Sequence, residues 1–203
     1  MTVPSWPKRP GVVGLGVSNW SGFAKFLSKK LRYIDAQFDR QLYPSHPFLD
    51  ITQPTANYLN IADFVICSEV LEHVPPPVEA AFSGLYRLLK PGGLLIFTVP
   101  YGFEPTVEHF PDLHDWQLHD RSGTRVLINR TKSGTWEEFS DLCFHGGGAS
   151  VLEMRIFGLD DLKSHLARAG FVDVEVMERD ILTYGIRSVE PWGRPITARR
   201  PRD

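Results

Sequence analysis

Three places in the chain combine residue types and spacings that can do chemistry. Gly14-Leu15-Gly16 punctuates a short apolar run from Gly11 to Val17. Where side chains are missing a ligand's backbone can come close, and the amides of a following helix would point at it. Asn19 stands where a full G-x-G-x-x-G pattern has its third glycine, so a plain strand-to-helix turn competes with a ligand cradle. Asp35 follows Gly16 by 19 residues, close to the spacing of about 20 at which a carboxylate receives both hydroxyls of an adenosine ribose. Asp39 competes for the same role, and a solvated surface acid is the plain alternative. Asp50, after Phe48-Leu49, can accept a hydrogen bond from an adenine amino group or cap its own loop. The third place is Cys67-Ser68-Glu69-Val70-Leu71-Glu72-His73-Val74, which begins where the apolar run Phe64 to Cys67 ends. Cys67, Ser68 and Glu69 would line a cleft there. His73 would come about one helical turn after Glu69, as a base for a substrate hydroxyl or as a histidine that bonds its own loop.

The surrounding elements must bring these places together. Gly11 to Val17 reads as a buried strand and Ser21 as the cap of a helix carrying Phe23, Phe26, Leu27 and Leu31 on one face. Tyr33 to Asp39 alternates as a second strand, and Phe48 to Ile51 follows a loop containing prolines. Phe64 to Cys67 is too short for a helix and reads as a strand of a parallel sheet. Pro75 to Pro77 then open the clearest helix, with Val78, Ala81, Phe82, Leu85, Leu88 and Leu89 at helical spacing and Pro91-Gly92-Gly93 as its stop. Leu94 to Val99 is a further apolar strand. Leu159, Leu162 and Leu166 lie on a last helix closed by Gly170, before strands at Val172 to Val176 and Ile196 to Arg199. Strands alternating with helices predict an α/β, doubly wound, mostly parallel sheet, which binds ligands at the carboxyl ends of its strands.

The run from Asp63 to Val74, the helix after it, and Leu88-Leu89-Lys90-Pro91-Gly92-Gly93 with its apolar strand resemble class I S-adenosylmethionine-dependent methyltransferases. The resemblance covers roughly Val12 to Val176. It implies a Rossmann-like sheet of seven strands, the last antiparallel, and S-adenosylmethionine as cofactor. It places Gly14 and Gly16 by the methionine part of that cofactor, Asp35 on the ribose, Asp50 with Ile51 by adenine, and Cys67 to Glu69 over the methionine end. The family usually has an acid before Gly-x-Gly-x-Gly, a pattern absent here, and the stretch between second and third strands is compressed. The implied reaction is in-line displacement on the sulfonium methyl, so the protein's task is to align donor and acceptor in a dry cleft. His73 and His109 are the candidate bases for a hydroxyl acceptor. The "GLGVSNW" opening and the "FHGG" segment resemble methyltransferase domains found beside glycan-building enzymes, which suggests a saccharide.

Between Tyr101 and Met154 no helical period holds, and this stretch reads as an insertion or lid within one domain spanning 1–203. Arg125 to Asn129 is expected as one strand of a hairpin. His109, Asp112, His114, Asp115, His119 and Asp120 are ligand-type residues, but nothing in their spacing makes them converge, so they read as a polar lid and no metal site is assigned. Trp116, Trp136, Phe139, Phe144 and Tyr101 read as a small satellite core. Gly146 to Gly148 read as a turn, and Arg194, Arg199, Arg200 and Arg202 as a solvated tail.

Composition narrows the classes. Among 203 residues, 22 basic and 24 acidic side chains leave a net charge of -2, which argues against a nucleic-acid partner. No apolar stretch is long enough for a membrane span and the first ten residues lack a secretory signal, so a cytoplasmic location is expected. Two cysteines are too few for a disulfide framework. The expected partner is a small-molecule acceptor, with the oligomeric state open. An NAD-dependent oxidoreductase and a catalytically silent binding domain are the rival classes.

Overall fold

The computed structural model describes residues 3–17, 21–145, 151–184, 186, 187, 190 and 192–202. In chain order the first elements are β1 (Arg9–Val17), α1 (Ser21–Ser28), β2 (Leu31–Ala36), β3 (Ala62–Ser68), α2 (Glu79–Leu88) and β4 (Leu89–Thr98). Then come short strands β5 (Tyr101–Gly102) and β6 (Val107–Glu108), the longer β7 (Asp115–Arg121), β8 (Thr124–Arg130) and β9 (Trp136–Phe139), and short β10 (Phe144–His145), β11 (Val151–Leu152) and β12 (Arg155–Gly158). Helix α3 (Leu159–Arg168), β13 (Val172–Val176) and β14 (Ile196–Arg199) complete the order.

Six strands form one sheet in the order β13-β14-β4-β3-β1-β2. The run β2, β1, β3, β4 is parallel, and β14 lies antiparallel to both β4 and β13. This is the mostly parallel, Rossmann-like arrangement expected, but the described residues give six strands where seven were expected. Phe48 to Ile51 makes only a single parallel bridge, between Gln37 and Phe48. The Leu49 amide donates to the Gln37 carbonyl at 3.0 Å, and there the pairing stops. Asp50 ends it, because its Oδ1 accepts from the Thr52 amide at 2.8 Å and the Thr52 hydroxyl at 2.7 Å, turning the chain out of the extended form.

Alternation along the strands decides which residues face the core. Leu15 and Val17 of β1, Ala36 of β2, Val65 and Cys67 of β3, and Leu95, Phe97 and Val99 are buried on one face. Ala81, Phe82, Leu85 and Leu88 of α2 pack there with Leu162 and Leu166 of α3, so the stripes expected for both helices form the main core. The carbonyl of Ile51 also presses on α2, where a Cβ at Gly84 would lie 1.6 Å from it; no other residue fits that contact. Helix α1 lies against β2, and Ala24 and Leu27 are its buried residues. Phe26, expected on its apolar face, is exposed, with Lys29 over its ring.

From Tyr101 to Gly158 the chain builds three small sheets: β5-β12-β6, the meander β7-β8-β9, and the hairpin β10-β11. Arg125 to Asn129 is a strand of the β7-β8 hairpin, as expected, and β9 extends that hairpin into a meander. Phe110, Leu127, Leu152 and Met154 make a separate core with Trp116, Phe139 and Phe144 against it, as expected for the last three. Trp136 is exposed, and Tyr101 belongs to the main core. Arg200 departs from the solvated-tail expectation: its Nη1 donates to the Leu89 carbonyl at 2.8 Å and its guanidinium lies 4.7 Å from the Tyr86 ring centre. No helix among the described residues is long and apolar enough to cross a membrane.

Candidate active site

Parallel register brings the first and third of the chemically marked places side by side. Gly16 pairs with Asp35 on one flank and with Ile66 on the other, and Val17 pairs with Ala36 and Cys67. One residue further, Ser68 pairs with Thr98, their hydroxyls 2.6 Å apart. Since paired residues share a face, Asp35, the bare α-carbon of Gly16, Ser68 and Thr98 all look the same way at the carboxyl edge of the sheet. Gly14 shares that face but lies deeper within β1, not in a turn. A Cβ there would meet the Phe64 ring at 2.3 Å and the Tyr33 ring at 2.7 Å, so its glycine serves close ring packing. Ser18, Asn19 and Trp20, where the strand would turn into the helix, lie outside the described residues, as do Gly146 to Gly148.

Asp35, one residue before the end of β2, has a side chain that is four-fifths buried. Its Oδ1 is buried with no hydrogen-bond partner among the described residues, and its other oxygen lies 3.8 Å from His46 Nε2. Burial raises its pKa, against a smaller opposing pull from His46. A buried acceptor without a donor is costly, and a ligand hydroxyl at this edge would satisfy it. Asp39, the competing acid, is exposed and already occupied: its Oδ1 accepts from the amides of Gln41 and Leu42 at 2.8 and 2.9 Å. Asp50 spends Oδ1 on its own turn, which leaves its second oxygen for another donor. Ile51 and Cys67 point into the main core, so neither side chain is offered to a ligand, and burial pushes the Cys67 thiol far above the ordinary range. Glu69 does reach the edge. It is exposed and held at φ 53°, a left-handed conformation rare for a side chain other than glycine and characteristic of strained functional turns.

The two candidate bases converge on one strip of the chain. His73 ends a 3-10 turn over Leu71–His73, and its Nδ1 donates to the Leu152 carbonyl at 2.9 Å. A carbonyl only accepts, so this bond leaves the Nε2 lone pair as the basic position. Burial lowers the His73 pKa, outweighing the Leu152 bond, and so favours the neutral ring. Next to it Glu72 is buried, its Oε2 has no partner among the described residues, and burial pushes its pKa up to about 8. The His109 amide donates to the Met154 carbonyl, and its Nε2 lies 3.1 Å from Glu153 Oε1. Of the other ligand-type residues in this stretch, His119 and Asp120 lie along β7, paired with Val126 and Arg125, and the His114 amide donates to Asn129 Oδ1. They do not join His109. Sequence reasoning missed its partner Glu153, the Cys143 and His145 grouped with Glu153 in a stretch without regular period, and the buried Arg155, whose Nε donates to Glu108 at 2.7 Å and whose Nη1 donates to the carbonyls of Leu71 and Val74. An open hollow of about 520 Å³ lined by Asp112, His114, Lys132 and Glu137 belongs to the meander and takes no lining residue from the six-stranded sheet.

Comparison with known proteins bears on this edge. No curated protein matches the chain. Among solved structures, a methyltransferase from Mesorhizobium loti described as S-adenosylmethionine-dependent superposes with a TM-score of 0.58 at 14% identity, covering 96% of this chain and 94% of that one. A sugar N-methyltransferase, KedS8, from a Streptoalloteichus species gives 0.55 at 15% identity, over 95% and 82%. The Burkholderia thailandensis 1,6-didemethyltoxoflavin N1-methyltransferase, solved with that compound and S-adenosylhomocysteine, gives 0.52 at 18%, over 93% and 71%. These likenesses concern the fold. The family model described as "Methyltransferase domain" matches residues 12–176, from β1 through β13, and the chain belongs to that family.

Proposed function

We propose that this methyltransferase takes its methyl group from S-adenosylmethionine and passes it to the hydroxyl oxygen of a small molecule, a saccharide being the acceptor class. The observation that carries the reading is the buried Oδ1 of Asp35, without a partner among the described residues and set beside the bare Gly16 at the carboxyl edge. The residues present fit the cofactor. Asp35 would hold the ribose hydroxyls, the free oxygen of Asp50 the adenine amino group, and Ser68 with the turn at Glu69 the methionine end. Gly14, Ile51 and Cys67 would contribute through backbone shape, their side-chain positions being absent or turned to the core. Solved neighbours named for bound S-adenosylhomocysteine or S-adenosylmethionine, one of them an amino pentose methyltransferase from Micromonospora echinaspora, support both the cofactor and the sugar class.

The sulfonium supplies a methyl group already bound to a good leaving group. What remains for the chain is to orient the acceptor and remove its proton. His73 is our candidate for that: with Nδ1 tied to Leu152, the neutral ring favoured by its lowered pKa would take the hydroxyl proton at Nε2, which lies 3.5 Å from Glu72 Oε1. His109 is the second acceptor-side residue, fixed by Glu153. The stretch 101–154 would then act as a lid within one domain, excluding water from the cleft.

Calorimetry with S-adenosylmethionine, followed by label transfer from its methyl group to paired hydroxy and amino sugars, tests the reading. Binding in the micromolar range, no NAD binding and transfer to the hydroxy sugar are expected. Transfer only to the amino sugar would move the acceptor atom to nitrogen, and no binding of either adenosyl ligand would leave the silent domain.

A further inference from the structure

The hairpin β10-β11 concentrates three different donor atoms on one face. Phe144 pairs with Leu152 and His145 with Val151; one step outward the Glu153 amide donates to the Cys143 carbonyl at 2.8 Å. Cys143 and Glu153 therefore sit opposite each other, and His145, two residues from Cys143, shares their side of the ribbon. Phe144 and Leu152 take the other side and pack into the small core, which anchors the ribbon in this orientation. The result is a thiol, an imidazole and a carboxylate whose donor atoms all lie within 4.8 Å of one another.

The distances within the group suit a small cation. Cys143 Sγ lies 3.4 Å from His145 Nε2, and His145 Nε2 lies 2.7 Å from Glu153 Oε2. Around zinc, with bonds of about 2.3 Å to sulfur and 2.0 Å to nitrogen and oxygen, tetrahedral donors stand roughly 3.3–3.6 Å apart. The sulfur-nitrogen separation already matches, and the nitrogen-oxygen pair needs to open by about 0.6 Å, within reach of side-chain rotation. Glu153 is otherwise buried, and its second oxygen is held by His109 Nε2 at 3.1 Å. A carboxylate fixed from behind by a histidine is the outer support that ordinary metal ligands receive. Cys143 and His145 are exposed, so the position opposite Glu153 opens to solvent.

We propose that Cys143, His145 and Glu153 bind a divalent transition metal ion of the zinc class, with His109 orienting Glu153 and the fourth position left to water or to an incoming oxygen ligand. Thiolate with imidazole selects such an ion over magnesium or calcium. The ring of His145 lies 5.9 Å from that of His73, so the ion pins the hairpin beside the turn that follows β3. The site goes beyond the methyl-transfer reading and is read out independently of it.

The test uses the full chain after chelator treatment, titrated with zinc in competition with a chromophoric chelator, and separately with cobalt(II). One equivalent of zinc should bind, and cobalt should give a thiolate-to-metal charge-transfer band. Cys143→Ala should abolish that band and weaken zinc binding at least about tenfold; the residue is exposed, so the variant should keep the wild-type circular dichroism spectrum. Glu153→Gln should weaken binding similarly, with circular dichroism as the check on folding, while His119→Ala, on the exposed β7, should bind as the wild type does. No stoichiometric zinc in the wild type, or equal affinity in Cys143→Ala, would overturn the site and leave Glu153 as the centre of a hydrogen-bonded network only.

Discussion

The six-stranded sheet and the stretch from Tyr101 to Gly158 solve the problem of positioning polar groups in opposite ways. The sheet places Asp35, Gly16, Ser68 and Thr98 by register: a continuous apolar face locks the strands, and the edge residues follow from the pairing. The later stretch has only a small core, and its strip Leu152–Met154 holds His73 and His109 through hydrogen bonds while the Glu153 amide bonds Cys143. Scaffolded positions keep their geometry when a polar contact is lost; networked positions transmit the loss to their neighbours. On this account the cofactor edge belongs to the first kind and the acceptor side to the second.

The largest effect should come from the networked side. His73→Ala is expected to lower kcat roughly 100-fold or more, as loss of a general base does, while cofactor affinity stays near the wild-type value. Equal losses in steady-state turnover and calorimetric affinity would make His73 a structural residue and blur the contrast. Leu127→Ala removes a fully buried side chain of the small core and should cost about 2–5 kcal/mol in that stretch. Hydrogen exchange should show loosened β7, β8 and β9 with S-adenosylhomocysteine affinity changed by no more than about twofold, because the two cores are separate. Loss of cofactor binding in this variant would mean that the two regions are one cooperative unit.

Glu72 sharpens the comparison through pH. Burial raises it to about 8 from an ordinary value of 4.5, so the folded chain binds this proton more tightly than the unfolded chain does. Its contribution is fully present below about pH 4.5 and is lost as pH rises toward about 8, at no more than about 1.4 kcal/mol per pH unit. Glu72→Gln should flatten urea-denaturation stability across that window, and an unchanged slope would remove Glu72 as its source. The smallest effect is expected from Asp39→Ala. Loss of the two turn amide bonds should cost about 1 kcal/mol of stability, with no change in cofactor affinity.

What could be read in the sequence follows the same division. Period-2 and period-3.6 patterns made β1, β3, β4, α2 and α3 legible, because the buried face of each is continuous. Phe48 to Ile51 forms no more than a bridge because of a local competitor: the Asp50 side chain bonds the Thr52 amide before a ladder can form. Phe26 was misplaced because α1 turns Ala24 and Leu27, not its largest ring, inward. In the later stretch, strands of two to seven residues and single polar contacts between residues 44 or 79 apart leave no period to detect. His109 was noticed for its residue type alone. Glu153 and Cys143 carried no signal until the hairpin set them opposite each other.

The central claim is that the buried carboxylate of Asp35 holds the ribose of an adenosyl cofactor. Calorimetric titration of S-adenosylhomocysteine into the wild type and into Asp35→Ala tests it most directly. Loss of a charged hydrogen-bond acceptor predicts binding weaker by about 2–3 kcal/mol, or roughly 30- to 150-fold, with the fold intact. Equal affinity in the two proteins, or no binding by the wild type, would contradict the account.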